Sequence, residues 1–197
     1  MSRHSLLKTA LSLLAPIVFV GSAQAHWSLD NEASTFSFVT VKAEHIAEVH
    51  TFDVLSGTID DAGLVEIDIE LASVNTLIPI RNERMQAMLF ETNLFPAASV
   101  TGTVDLEAIT AMAPGASEVM EIEIAVTLHG ASIALDAQLM VTRLEAGVVA
   151  TTLKPIIITA DSVGLVAGVE ALREVAGLPS ISRSVPVSFT LVFDQGH

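Results

Sequence analysis

The chain contains no cysteine. Disulfide staples, thiolate metal ligands and thiol nucleophiles are therefore excluded, and the fold must be held by its core alone. Basic residues are scarce too. Nine Lys and Arg stand against 23 Asp and Glu, a net charge of −14. Such a surface repels phosphate backbones, so nucleic acid is not an expected partner. Beyond residue 25 no apolar run is long enough to cross a bilayer, and the product is not expected to be membrane-embedded. The chain also lacks repeats, low-complexity tracts, an interdomain linker and a Gly-x-Ser-x-Gly nucleophile turn. A hydrolase or thiol enzyme has no visible footing.

What is present begins with a leader. Residues 1–25 carry Arg3 and Lys8, then an apolar run broken by Pro16, and end in Ala23-Gln24-Ala25. This pattern predicts a signal peptide cleaved after Ala25, giving an exported domain of residues 26–197 with the periplasm as its expected compartment. Loss of Arg3 and Lys8 takes the net charge from −14 to about −16.

Period-two alternation dominates the remainder. In "LVEIDIEL" Val65, Ile67, Ile69 and Leu71 share one face, while Glu66, Asp68 and Glu70 share the other. One dry and one wet face is the signature of antiparallel sheet. The same pattern places Ile122, Ile124, Val126 and Leu128 together, then Ile133, Leu135, Ala137, Leu139 and Val141, then Val185, Val187, Phe189, Leu191 and Phe193. Phe36 and Phe38 share a face earlier in the chain. Strands are expected near 34–43, 47–59, 63–74, 98–107, 119–129, 131–144, 147–160 and 184–194. Two helices are expected. One covers Ile80 to Phe90. In the other, Val169, Leu172, Val175 and Ala176 form a stripe ahead of Gly177 and Pro179. The fold class is thus all-β with short helical insertions, an eight-stranded antiparallel barrel, because closure removes exposed edges.

An eight-stranded barrel either fills its interior or holds one small ligand. Here the inward set is almost wholly aliphatic and aromatic, so any ligand should be apolar and elongated. Each buried methylene contributes roughly 0.8 kcal/mol. Ten such groups give about 8 kcal/mol gross, near micromolar before ordering costs. The candidate lining comprises Phe36, Phe38, Ile67, Ile69, Ile124, Val126, Leu135, Leu139, Phe189 and Leu191. On the first helix Met85, Met88 and Leu89 form a stripe, either packing on the barrel or adapting to an entering chain.

Polar candidates are few. "AEHIAEVH" holds Glu44, His45, Glu48 and His50, but on a strand the two histidines point apart, and all four read as solvated strand-end residues. His129 before Gly130 reads as a turn residue bonding local backbone. Arg81 and Arg84, three apart on the first helix, are the sharpest feature. Either could meet a ligand oxygen at a tunnel rim, and either could pair with a carboxylate that anchors the helix. No catalytic residue and no metal site is expected.

Four stretches resemble a known family. "WSLDNEASTFSFVTVKAEHIAEVHTFDVLSGTID", "SVNTLIPIRNERMQAMLFETNLFP", "VTLHGASIALDAQLMVTR" and "GVEALREVAGLPSISRSVPVSFTLVF" are, in order, similar to the successive motifs of the YceI-like family, from about Trp27 to Phe193. The resemblance implies a lipocalin-like barrel with an apolar tunnel, exported to the periplasm, that holds a polyisoprenoid, a quinone tail or a similar amphiphile. It implies no other cofactor. A membrane-protein delivery partner and a homodimer stay open, as does a ligand-free barrel serving as a protein-interaction or stress-response module. Two positions depart from the family pattern. Ala33 precedes Ser34 where many members carry His, and Ser132-Ile133 follows the turn where many carry Thr-Lys.

Overall fold

The computed structural model describes residues 27–195. The expected leader and the start at His26 lie outside the described residues.

Eight antiparallel staves close into a barrel, and four of them are interrupted. The first stave is β1 (Trp27–Leu29) followed by β2 (Thr35–Lys42), and the second is β3 (Ile46–Phe52) followed by β4 (Leu55–Ile59). The third is β5 (Leu64–Glu70) with the short β6 (Val74–Asn75). Then come β7 (Ala97–Thr103), β8 (Ser117–Leu128) and β9 (Ala131–Arg143). The seventh is β10 (Gly147–Thr152) with β11 (Ile156–Thr159), and β12 (Ser184–Gln195) completes the ring. β12 pairs with β10 and β11 on one side and with β1 and β2 on the other, which joins last stave to first. No barrel edge is left unpaired along this seam, as closure requires.

The expected eight strands are present, but the expected spans 47–59, 63–74 and 147–160 are each broken. Physical causes are local. At the first break Val54 N–H donates to Ser73 Oγ and Leu55 N–H to Asn31 Oδ1 rather than to a ladder partner. A 3-10 turn at Leu71–Ser73 divides the third stave. Pro155, which has no N–H to donate, lies between β10 and β11. The expected strand 98–107 stops at Thr103. Asp105 caps a short helix, α2 (Leu106–Ala111), by accepting from Ala108 N–H at 2.9 Å. β1 was not anticipated, and it buries Trp27 almost completely.

Alternation places the wet face outward as expected: in β5, Ile67 and Ile69 are buried, and Glu66, Asp68 and Glu70 are exposed. The two barrel ends differ. One is closed by Trp27, with the Arg143 guanidinium 5.2 Å from its ring centroid, and by Ile109 of α2. The other is covered by α1 (Pro79–Arg84), a π-helical turn at Met85–Leu89, and α3 (Val166–Val175). The single helix expected over Ile80–Phe90 is thus a short α-helix run into a π turn, closed by Phe90 N–H to Met85 O at 2.9 Å.

α3 lies directly on that π turn at a glycine. A Cβ on Gly168 would come within 2.8 Å of Leu89 Cα and Met88 O, so a residue without a side chain is needed for the two elements to touch. The far side of α3 is tied down by Glu170, which bonds Arg173 at 2.8 Å and Arg183, just ahead of β12, at 3.3 Å.

Candidate functional site

The barrel interior is not filled. A cavity of about 300 Å³ lies beneath the helical cover, and a second chamber of about 80 Å³ lies towards the Trp27 end. Phe36, Ile69, Val100, Ile124 and Phe189 border both, forming a waist at which the Phe36 and Phe189 rings stack at 6.3 Å. The larger chamber is at the small end of typical ligand pockets, roughly 300–1,000 Å³.

Each lining candidate has a definite place. Phe36, Phe38, Ile69, Ile124, Val126 and Phe189 border the large chamber. Ile67, Leu139 and Leu191 border the small one. Leu135 borders neither and packs, half-buried, against the core. Met85 and Leu89 reach the large chamber, but Met88 does not, and this corrects the expected stripe. The cause is the π turn. It widens the helical period, so the inward set becomes Met85, Leu89 and Phe90 at i, i+4 and i+5 instead of i, i+3 and i+4. From α3, all four members of the expected stripe, Val169, Leu172, Val175 and Ala176, border the large chamber.

The cover is held by the polar residues of residues 73–86. Thr76 is buried and donates its hydroxyl to Asn82 Oδ1 at 2.6 Å, while its N–H donates to the same oxygen at 2.9 Å. Asn75 Nδ2 donates to Asp53 on the barrel wall at 2.8 Å, and Gln86 Nε2 donates to Ala72 O at 2.8 Å. Arg81 donates from Nη1 to Glu48 Oε2 at 2.7 Å and from Nη2 to Thr76 O at 3.0 Å. Lys42 Nζ approaches the same Glu48 oxygen at 2.5 Å. Arg84 also borders the cavity, and it has no ion pair among the described residues.

Sequence reasoning placed Glu48 and His50 with the solvated strand ends. Both instead border the cavity, and His50 is only 3% exposed. The reason is parity. Glu48, His50 and Phe52 alternate onto one face of β3, opposite Phe38 and Thr40 on β2, and that face is the interior. The His50 ring sits 5.3 Å from that of Phe38 and bonds Thr40 Oγ1 through Nε2 at 2.9 Å. Its Nδ1 is buried with no protein partner, and so is Arg81 Nε. A buried polar atom left unpaired costs about 1–3 kcal/mol. Burial above all, and then the Arg81 guanidinium, push the His50 pKa down; Lys42 adds to this and Glu48 opposes it. Glu48 is held below its ordinary range chiefly by the Lys42 hydrogen bond, and further by Arg81, against the opposing effect of burial.

His129 does not bond local backbone. Its Nε2 meets Glu91 Oε2 at 2.7 Å and its ring lies 4.3 Å from that of Phe95, joining the β8–β9 turn to the segment that follows the cover. His45 is exposed, as expected, with Glu44 Oε2 3.9 Å from its Nε2.

A closed antiparallel barrel with a helical cover, an apolar interior cavity and a polar cluster at one end defines a small-molecule-binding barrel of lipocalin-like architecture. The YceI-like domain model matches residues 27–193, and the chain belongs to that family. No curated protein matches the chain. Among solved structures it is similar to a polyisoprenoid binding domain from Saccharophagus degradans implicated in plant cell wall breakdown. The two are 42% identical with a TM-score of 0.85, over 86% of this chain and 98% of that one. It is also similar to BcnA of Burkholderia cenocepacia, at 17% identity and a TM-score of 0.63 over 83% of this chain and 98% of that one, a likeness of fold alone.

Proposed function

We propose that the protein is a periplasmic carrier that encloses the tail of a polyisoprenoid, a prenylated quinone or a similar long-chain amphiphile. The carrying observation is the cavity of about 300 Å³, whose walls are aliphatic and aromatic except at the Lys42–Glu48–His50–Arg81 end. The similarity to a polyisoprenoid binding domain at 42% identity supports the same ligand class. Binding is the activity, and no bond-making step is assigned. Such walls grade tails by length and width through roughly 0.8 kcal/mol per buried methylene. Export through residues 1–25 accords with a cargo drawn from the membrane. No described helix is long and apolar enough to cross a bilayer.

Titration calorimetry of delipidated protein with geranylgeraniol tests this reading. Saturable one-to-one binding in the micromolar range or tighter is expected. Absence of binding by geranylgeraniol, by a short prenylated quinone and by a long-chain fatty alcohol alike would remove it.

A further inference from the structure

We propose that the protein docks on the surface of a lipid bilayer through an apolar tip, Leu77 to Ile80, at the cover end of the barrel. The inference rests on the carrier reading and adds the surface from which the cargo is taken.

Three observations carry it. The first is exposure. Leu77, Ile78, Pro79 and Ile80 are four consecutive apolar residues and all are exposed, Leu77 by 87%. A run of this kind does not serve the core of a folded domain, and it marks a contact surface. Leu94, in the segment that follows the cover, is exposed as well. Val175 of α3 is exposed and also borders the large chamber, so the chamber reaches the surface at this end.

The second is strain. Leu77 has a φ of +61°, in the left-handed region that favours Gly and Asn over leucine. The loop is nonetheless firmly held. Leu77 N–H donates to Asn75 Oδ1 at 3.0 Å, and the N–H groups of Arg81 and Asn82 donate to Ile78 O at 3.0 and 3.1 Å. Thr76 is tied to Asn82 and Arg81. A leucine in this conformation with its side chain in water gains little from packing within the protein. Sunk into the acyl boundary of a bilayer, the same side chain leaves water without any movement of the loop.

The third is charge. The segments at this end, residues 42–48, 77–95 and 161–183, hold five basic residues, Lys42, Arg81, Arg84, Arg173 and Arg183, beside seven acidic ones. The remainder of residues 27–195 holds only Arg143 and Lys154 against 16 acidic residues. Bilayer surfaces are neutral or anionic. The field of the molecule therefore turns the barrel wall and the Trp27 end away from them and presents the cover end. The docked protein lies on the bilayer and does not cross it, in keeping with the absence of a long apolar helix among the described residues. A second copy seated on the same tip would instead shut the open side of both chambers against cargo.

Flotation of delipidated protein with vesicles of phosphatidylcholine and a minor share of phosphatidylglycerol tests the proposal. Wild type should float with the vesicles. Leu77→Asn should lower the partition about tenfold, the loss of one inserted leucine side chain. Asparagine accepts the left-handed backbone, so the melting temperature of that variant should be unchanged or raised. Val119→Asn removes an exposed apolar residue from the barrel wall and should float as wild type does. Leu77 borders neither chamber, so Leu77→Asn should keep wild-type affinity for geranylgeraniol in titration calorimetry. Wild type that stays with the aqueous phase would overturn the docking surface while its binding of geranylgeraniol left the carrier reading standing. So would equal flotation of wild type and Leu77→Asn, or an equal loss in Val119→Asn. A wild-type dimer in solution that Leu77→Asn converts to monomer would also overturn it, by assigning the tip to a second copy.

Discussion

Arg81 of the helical cover donates to Glu48 of the barrel wall at 2.7 Å, and it is this pair that fastens one edge of the cover to the rim. Both side chains are less than a third exposed, and Lys42 shares the same carboxylate oxygen. Glu48→Gln should therefore lower stability by about 1–2 kcal/mol, with two cations left near one neutral amide. Urea denaturation read by far-UV circular dichroism measures this. A loss under about 0.3 kcal/mol, the level of an exposed surface pair, would mean the cover is held by Thr76, Asn82 and Gln86 without the ion pair.

Acidification should act in two stages. His50 titrates near 6.5 when unfolded and lower when folded. Between those values the unfolded chain binds the extra proton, so stability falls as pH drops below about 6.5 and the loss stops at the folded value. Glu48 behaves alike from its ordinary 4.5 downward, because its folded pKa is depressed. Melting temperature measured from pH 8 to pH 3 should show both slopes. His50→Phe should abolish the first and keep the second.

The contact at Gly168 sets how tightly α3 seats. Gly168→Ala puts a methyl 2.8 Å from Leu89 Cα and Met88 O, and backbone must move to admit it. Overpacking of this kind costs about 1–3 kcal/mol. Separation of α3 from the π turn should also raise the rate of ligand release, read by stopped-flow displacement of a fluorescent prenol. An unchanged release rate with unchanged stability would show that the two elements tolerate a wider gap.

The waist should act as a length stop. Phe36→Ala removes one of the stacked rings between the chambers of about 300 and 80 Å³. It should shift preference towards longer tails by several-fold, about 0.8 kcal/mol for each additional methylene buried. Stability should fall by about 3 kcal/mol. A competition series of fatty alcohols of increasing length reads the shift, and an unaltered optimum would place the stop elsewhere.

Barrel closure and the inward apolar face were legible because alternation is a strict period-two signal. The Val169, Leu172, Val175 and Ala176 stripe was legible for the matching helical reason. Met88 was misplaced because a π turn leaves no mark in a short apolar run; only the i→i+5 bond from Phe90 reveals it. His50 was misplaced for a different cause. Its parity with Phe52 was visible, and so was that of Thr40 and Lys42 with Phe36 and Phe38. Charged and polar residues at a strand end nonetheless read as solvated unless the element that covers them is known. The breaks at Asp53 and Leu71 depend on side chains from distant segments, such as Ser73 Oγ accepting from Val54 N–H, and no local pattern encodes them.

The most direct measurement is mass spectrometry of the organic extract of protein purified from its native source. A polyisoprenoid, a prenylated quinone or a similar long-chain amphiphile, present at close to one per chain, is the predicted result. Repeated preparations that yield folded protein with no co-purifying amphiphile would contradict a carrier function for the cavity.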